Sequence, residues 1–111
     1  MRMWMVDPKL LCRKHLLGEH VEVHMLAGSL LKGRSIEGFL AKGILEPQNV
    51  EARHARLATE LLRRGYRHAS PLESASTNIR GAVDTTKSLQ DLRTRCVACR
   101  ALQERRCANG D

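Results

Sequence analysis

The sequence predicts a small all-α protein, a bundle of three to four helices preceded by an extended N-terminal arm. The chain has 111 residues, which is enough for one modest domain and too few for two. Apolar residues recur at helical spacing in several segments, and a glycine follows each of the first three. Glycine is typical just past a helix end, because the left-handed backbone there suits a residue without a Cβ atom. Only residues 1–6 have a pattern that a strand would share.

The predicted arm covers residues 1–6 and leads into the longest helix. Asp7 followed by Pro8 is a typical helix start, because the carboxylate caps free N–H groups and proline needs no N–H donor. We expect this first helix to continue to the residue before Gly33, with an irregularity near Arg13.

Two more helices, a linker and a C-terminal segment complete the predicted fold. Ser35 is placed to cap a short helix that ends at Gly43, and Asn49 is placed to cap a third helix that ends at Gly65. The segment after this helix is rich in Ser, Thr, Gly and Pro, and the helical period returns at Asp84. The predicted organisation is a helical domain at 1–72, a linker or loop at 73–83, a C-terminal helix at 84–106 and a frayed tail at 107–111.

The balance of charge favours an anionic partner. Lys and Arg total 19 against 12 Asp and Glu, a formal net charge of +7. Cations that neutralise phosphates release counterions from nucleic acid, which favours binding. The apolar start is too short for an export signal, and no segment approaches the roughly 18 apolar residues of a membrane span. We expect a cytoplasmic, nucleoid-associated protein without a membrane partner, whose four cysteines are reduced.

A polar stripe crosses the first helix, which is otherwise apolar on nearly every side. His15, Glu19 and Glu22 stand at i, i+4 and i+7 and therefore share one face. Two carboxylates and an imidazole on a buried helix are costly unless they are paired or face a cleft. One interpretation is structural, with Arg2 or Lys14 as the partner. The other is an acid–base cluster at the mouth of a site.

The segment around this stripe resembles the first helix of the pyrimidine-dimer DNA glycosylases, the repair enzymes of the phage endonuclease V type. It reads LCRKHLLGEHVEVHMLAGSLLKG. A later segment, VEARHARLATELLRRGY, resembles the second long helix of that family, and the two together cover about residues 1–72. Short bacterial and archaeal members of the family are similar to three further runs, MRMWMVDPKLL, RRGYRHASPL and LQDLRTRCVACR.

The resemblance implies an all-helical enzyme that excises a damaged pyrimidine from double-stranded DNA and then nicks the strand by β-elimination. It places the nucleophile on the α-amine of Met1, which forms an imine with deoxyribose, and the assisting carboxylate on Glu22. It also places His15 near the site and a phosphate-contacting arginine at Arg2. An α-amine titrates at about pH 7.7–8.0, so that much of it is neutral and nucleophilic. The bulky Arg2 disfavours removal of Met1.

The sequence departs from the family pattern at several positions. The phage enzymes expose a threonine amine after methionine removal, whereas the aligned residue here is Met1. Two arginines of their DNA-binding helix fall at Val21 and Met25, and a glutamine falls at Lys14. Their aromatic C-terminal segment has no counterpart. These differences concern lesion recognition more than the chemistry of the amine.

A basic stripe is predicted on the third helix. Arg53, Arg56, Arg63 and Arg64 share a face with Glu60, opposite an apolar face. An ordinary solvated face with an Arg–Glu pair is one interpretation. The family resemblance favours a face that grips phosphates. The predicted nucleic-acid contacts are therefore Arg2, Lys14, Arg53, Arg56, Arg63 and Arg64.

Cysteine and histidine spacings raise the question of a metal site. Cys96 and Cys99 have the spacing of half a zinc site, and His20 and His24 lie one helical turn apart. The second ligand pair would have to come from these histidines or from the other two cysteines. Because Cys96 and Cys99 also continue the apolar period of the preceding leucines, we interpret them as part of a helical seam. We therefore expect no metal and no cofactor.

The sequence thus predicts a DNA repair enzyme, a glycosylase with abasic-site lyase activity on lesions of the pyrimidine-dimer type. One alternative is a non-catalytic nucleic-acid-binding module with the same fold and charge. Another is a zinc-dependent or helix-mediated interaction protein built around Cys96 and Cys99.

Overall fold

The structure, a computed structural model, describes residues 1–68, 70–72 and 76–108, with side chains described up to residue 105. Five α-helices lie in this part of the chain: α1 (Arg13–Leu31), α2 (Glu37–Ala41), α3 (Val50–Arg63), α4 (Thr85–Arg95) and α5 (Val97–Ala108). Short 3₁₀ turns at Pro8–Leu10 and Pro47–Asn49 precede α1 and α3. The described residues include no strand, and the predicted all-α fold is confirmed. Among these helices, none has the length and apolar character needed to cross a membrane.

The helix boundaries follow from local chemistry. Asp7 accepts a hydrogen bond from the backbone N–H of Lys9 and starts the first 3₁₀ turn. The backbone is then extended at Leu11 and Cys12. The irregularity predicted near Arg13 is therefore a full break, after which α1 begins. The three glycines predicted to end helices have φ between 68° and 87°, a left-handed conformation that other residues rarely adopt.

The N-terminal arm is extended and forms part of the core. Met3, Trp4 and Val6 are buried in one apolar cluster with side chains of α1 and α3. The backbone N–H of Met3 donates to the carbonyl of Ile44 at 2.8 Å, which ties the arm to the segment after α2. Burial of the arm therefore fixes the N-terminus relative to α1.

The end of the predicted linker packs closely on the connection between α2 and α3. The side-chain amide of Gln48 exchanges two hydrogen bonds with the backbone of Gly81, at 2.7 and 3.0 Å. The Glu46 carboxylate accepts a hydrogen bond from the backbone N–H of Val83 at 2.8 Å. A Cβ atom at position 81 would collide with the carbonyl oxygen of Leu45, so this close approach requires glycine. Residues 73–75 of the predicted linker lie outside the described residues.

The prediction of one C-terminal helix over residues 84–106 is wrong. The predicted helix start at Asp84 is confirmed, because the Asp84 side chain accepts a hydrogen bond from the N–H of Lys87 at the beginning of α4. At Cys96, however, the backbone is extended, with φ −131° and ψ 111°, so α4 ends and α5 begins after it. The two helices contact each other, and we call them the C-terminal helix pair. Of the tail predicted to fray, residues 107–108 belong to α5 and 109–111 lie outside the described residues.

Candidate active site

The N-terminus and Glu22 lie close together, because the buried arm leads the chain back over α1. The Met1 amine and the backbone N–H of Arg2 both act on the Glu22 carboxylate. Burial raises the pKa of Glu22 above its ordinary value, and the charge of Glu19 adds to this rise. The positive charges of the Met1 amine and of Arg2 lower the pKa again, but by less. A half-buried carboxylate with a raised pKa beside an amine is suited to proton exchange with that amine.

The predicted polar stripe separates into groups with different surroundings. Glu19 is fully buried, and its two carboxylate oxygens pair with Arg53 at 2.5 and 2.8 Å. Arg53 also donates to the carbonyl of Val6 at 2.7 Å, which fastens the arm. The phosphate contact predicted for Arg53 is therefore wrong, since the guanidinium is buried and its donors are used inside the protein. The sequence suggests Arg2 or Lys14 as the partner of the carboxylates, whereas Glu19 pairs with Arg53 of α3.

The other predicted phosphate contacts differ in how free their side chains are. Lys14 and Arg56 are exposed. Arg63 is exposed as well, but it pairs with Glu60 at 2.5 Å. Arg64 is mostly buried and donates to Glu60 and to two backbone carbonyl oxygens near the first 3₁₀ turn, at 3.1 and 2.6 Å. Arg64 therefore joins α3 to the start of the chain, Arg63 is engaged by Glu60, and the exposed side chains of Lys14 and Arg56 are the ones best placed to meet a phosphate.

A basic cleft of about 390 Å³ opens beside Arg2. Its charged lining consists of Arg2, Lys42, Lys87, Arg95, Asp84 and Asp91. The Arg2 guanidinium stacks 3.9 Å from the centre of the Trp4 ring and pairs with Asp91 at 2.8 Å. Two buried polar atoms of the lining, Nε of Arg2 and Oγ of Ser88, have no hydrogen-bond partner in the described part of the chain. The other cations of this cleft were not predicted, because their approach to Arg2 depends on how α4 packs.

An exposed apolar stripe borders Glu22 on α1. Leu17, Val21 and Met25 stand one turn apart, and their exposed fractions are 37%, 56% and 54%. Val21 and Met25 are the positions where the family resemblance would place arginines. Exposed apolar side chains are suited to contact bases rather than phosphates.

His15 lies in a cluster with three cysteines. Its Nδ1 atom is 3.2 Å from Sγ of Cys12 and 3.5 Å from Sγ of Cys99. Sγ of Cys12 is 3.8 Å from Sγ of Cys96. One ligand atom from each of the four residues lies within 4.8 Å of the others. Burial lowers the pKa of His15, and the charge of Lys14 lowers it further, so this imidazole is neutral at neutral pH.

This cluster changes two expectations from the sequence. The described contacts of His15 are with these cysteines and, edge-on, with the Trp4 ring, and they include neither Met1 nor Glu22. The structure therefore does not bring His15 to the candidate amine. The sequence suggests His20 and His24 or the other two cysteines as the second ligand pair, whereas that pair consists of Cys12 and His15.

Four histidines form a second cluster, which joins α1, α3 and the segment after α3. Nε2 of His68 lies 3.0 Å from Nε2 of His20 and 3.2 Å from Nε2 of His54. Nε2 of His24 is buried and has no hydrogen-bond partner among the residues described. Burial, with repulsion from the other three imidazoles, lowers the pKa of His20 to about 4. The sequence pointed to His20 and His24, whereas the other two depend on the packing of α3 against α1.

Comparison with known proteins assigns the chain to a family. The family model of the pyrimidine dimer DNA glycosylases matches residues 1–74. The match contains the arm, α1 and α3, and it ends before the C-terminal helix pair. No curated protein and no solved structure matches the chain. Because the family model covers two thirds of the sequence, this protein belongs to the pyrimidine dimer DNA glycosylases, a family of DNA repair enzymes.

Proposed function

We propose that this protein is a DNA glycosylase that also cleaves the strand as an abasic-site lyase, on lesions of the pyrimidine-dimer type. The nucleophile is the α-amine of Met1, and Glu22 transfers protons during the reaction. One observation carries the proposal: the amine lies beside a half-buried carboxylate whose pKa is raised. Such a carboxylate both accepts a proton from a neighbouring amine and returns it within the same site.

The reaction proceeds through an imine. The amine attacks C1′ of the damaged nucleotide, the bond from C1′ to the base breaks, and the base leaves with a proton. Glu22 then moves the remaining amine proton to the ring oxygen as the sugar opens and the C=N bond forms. Removal of a proton from C2′ expels the 3′ phosphate and cleaves the strand. Water finally hydrolyses the imine and frees the amine.

The basic cleft beside Arg2 supports a role in binding the DNA backbone. Its four cations outnumber its two carboxylates. The N–H of Arg2 Nε and the hydroxyl of Ser88 are donors without a partner in the described chain, and phosphate oxygens accept from such donors. The apolar stripe that contains Val21 and Met25 borders Glu22 and is suited to the bases next to an extruded nucleotide.

Borohydride trapping tests the nucleophile. The untagged full-length protein is incubated with labelled abasic-site DNA and borohydride, which reduces an imine to a stable covalent adduct. We expect an adduct with the native chain and none when two residues are added before Met1. The extension turns the amine into an amide and moves the new amine by about 3.3–3.6 Å per residue, although reaction geometry tolerates only about 1 Å. The same two residues added at the C-terminus are the matched control.

Each other outcome of the trapping experiment has a defined meaning. If the N-terminally extended protein traps at the native rate and Lys14→Ala does not, a lysine is the nucleophile. If the native chain forms no adduct, one of the two non-catalytic alternatives is correct, either the nucleic-acid-binding module or the interaction protein. We also expect Glu22→Gln to slow strand cleavage by at least about 100-fold while DNA affinity persists. Glu37→Gln, the same change at an exposed site on α2, should cleave at the native rate.

A further inference from the structure

The proposed function does not use the cluster of Cys12, His15, Cys96 and Cys99. The cluster is built from two pairs, and each pair has two residues between its members. In each pair the first member precedes a helix, and the second lies in the first turn of that helix, which is α1 for one pair and α5 for the other. Two helix starts therefore bring their four ligand atoms together.

The distances fit a tetrahedral metal ion. Metal–sulfur bonds of about 2.3 Å and metal–nitrogen bonds of about 2.0–2.1 Å give edges of about 3.8 Å between sulfurs and about 3.5–3.6 Å between sulfur and nitrogen. The sulfurs of Cys12 and Cys96 are 3.8 Å apart, and Nδ1 of His15 is 3.2 and 3.5 Å from its two sulfur neighbours. These three distances lie within about 0.4 Å of the tetrahedral edges, and all four ligand atoms lie within 4.8 Å of one another.

Cys12, Cys96 and Cys99 are free cysteines, and the sulfurs of Cys96 and Cys99 accept backbone hydrogen bonds. The distance of 3.8 Å between the sulfurs of Cys12 and Cys96 is far longer than a disulfide bond of about 2.05 Å. The backbone N–H of Cys12 donates to Sγ of Cys99 at 3.3 Å, and the N–H of Cys99 donates to Sγ of Cys96 at 3.5 Å. Such outer hydrogen bonds orient metal ligands and stabilise their charge.

We propose that Cys12, His15, Cys96 and Cys99 bind one zinc ion in a closed structural site. Three sulfurs and one imidazole in a tetrahedron are a preferred ligand set of zinc, and four protein ligands leave no open position for catalysis. The ion ties the start of α1, inside the region that matches the family, to the C-terminal helix pair outside it.

Elemental analysis of the untagged full-length protein tests this site. We expect His15→Phe and Cys96→Ser each to remove about one zinc per chain. His15→Cys, which restores a fourth ligand, should keep that zinc. Cys107→Ser makes the same change at a cysteine outside this cluster and outside the cluster of four histidines, and is the matched control. In the native chain, added Co²⁺ should give the absorption of thiolate-to-cobalt charge transfer, a readout that does not depend on any variant folding.

Two results would overturn the zinc proposal. One is a folded native protein without zinc whose Co²⁺ form lacks thiolate charge transfer. The other is mass spectrometry of the native protein that finds a disulfide among cysteines 12, 96 and 99, which would identify a redox pair instead. Neither result bears on the proposed role of the Met1 amine, because that role is tested by a different experiment, borohydride trapping.

The cluster of four histidines gives independent evidence for a second metal site. A neutral imidazole has one N–H, so Nε2 of His68 cannot make good hydrogen bonds to Nε2 of both His20 and His54. Nε2 of His24 is also buried without a partner in the described chain. A tetrahedral ion with metal–nitrogen bonds of about 2.0–2.1 Å places nitrogens about 3.3–3.4 Å apart, close to the 3.0 and 3.2 Å found here.

We infer that His20, His24, His54 and His68 bind one divalent transition-metal ion of the zinc type, because such ions take neutral imidazole ligands. We expect His68→Asn to remove about one metal ion per chain. In the Cys96→Ser protein, Co²⁺ should still bind, with visible absorption but without thiolate charge transfer. An unchanged metal content in folded His68→Asn, or no Co²⁺ binding by folded Cys96→Ser, would refute this second site.

Discussion

The buried pair of Glu19 and Arg53 makes the stability of the bundle sensitive to the loss of a single charge. Arg53→Met keeps an unbranched side chain but removes three hydrogen bonds, two to the Glu19 carboxylate and one to the carbonyl of Val6. The carboxylate then remains in an apolar interior without a counter-charge. We expect the free energy of unfolding to fall by about 3–5 kcal/mol, the usual cost of breaking a buried ion pair from one side.

Urea unfolding followed by far-ultraviolet circular dichroism measures this change. Unfolding free energies of small proteins fall by about 1–3 kcal/mol per molar urea, so the midpoint should drop by at least about 1 M. The double variant Glu19→Leu/Arg53→Met removes both charges and should regain most of the loss. Arg56→Met makes the same change at an exposed position of α3 and should stay within about 0.5 kcal/mol of the native chain. A native-like midpoint for Arg53→Met, or no recovery in the double variant, would refute the argument.

Three further predictions concern the linker, the site and the cleft. Gly81→Ala should lower the free energy of unfolding by about 1–3 kcal/mol in the same urea experiment, because its Cβ collides with the carbonyl of Leu45; an unchanged midpoint would mean that this contact is loose. Burial raises the pKa of Glu22 above 4.5, and only its ionised form accepts a proton, so the single-turnover cleavage rate should fall on acidification with a midpoint above pH 4.5, and Glu22→Gln should lack this fall. The same fall in both proteins would mean that another group titrates. Lys87→Ala should reduce the dependence of log affinity on log salt by about one unit in fluorescence anisotropy, whereas the exposed Lys32→Ala should not; equal slopes would exclude the cleft from the DNA interface.

Local signals in the sequence predicted most helix boundaries, because capping and glycine chemistry act over a few residues. The glycine stops and the start at Asp7 and Pro8 are of this kind. The break at Cys96 was missed for a physical reason. The apolar period of Leu89 and Leu92 continues through Cys96 and Cys99, and periodicity reports which side chains are buried rather than whether the backbone stays helical.

Side chains whose role depends on distant partners were harder to predict. Arg53 lies among arginines that share its helix face, and its pairing with Glu19 joins residues 34 positions apart. His15 was assigned from the family resemblance, and its cysteine neighbours come partly from 84 positions along the chain. Met1 and Glu22 were proposed together from the same resemblance, and the packing of the arm brings them together.

The two walls of the basic cleft come from different parts of the chain, one inside and one outside the family match. Arg2 and Lys42 belong to the region that matches the family, whereas Lys87 and Arg95 belong to the helix pair outside it. The proposed reacting groups, Met1 and Glu22, lie entirely within the matched region. A substitution on the wall formed by the helix pair would therefore change the proposed grip on the DNA backbone and leave the proposed reacting groups in place.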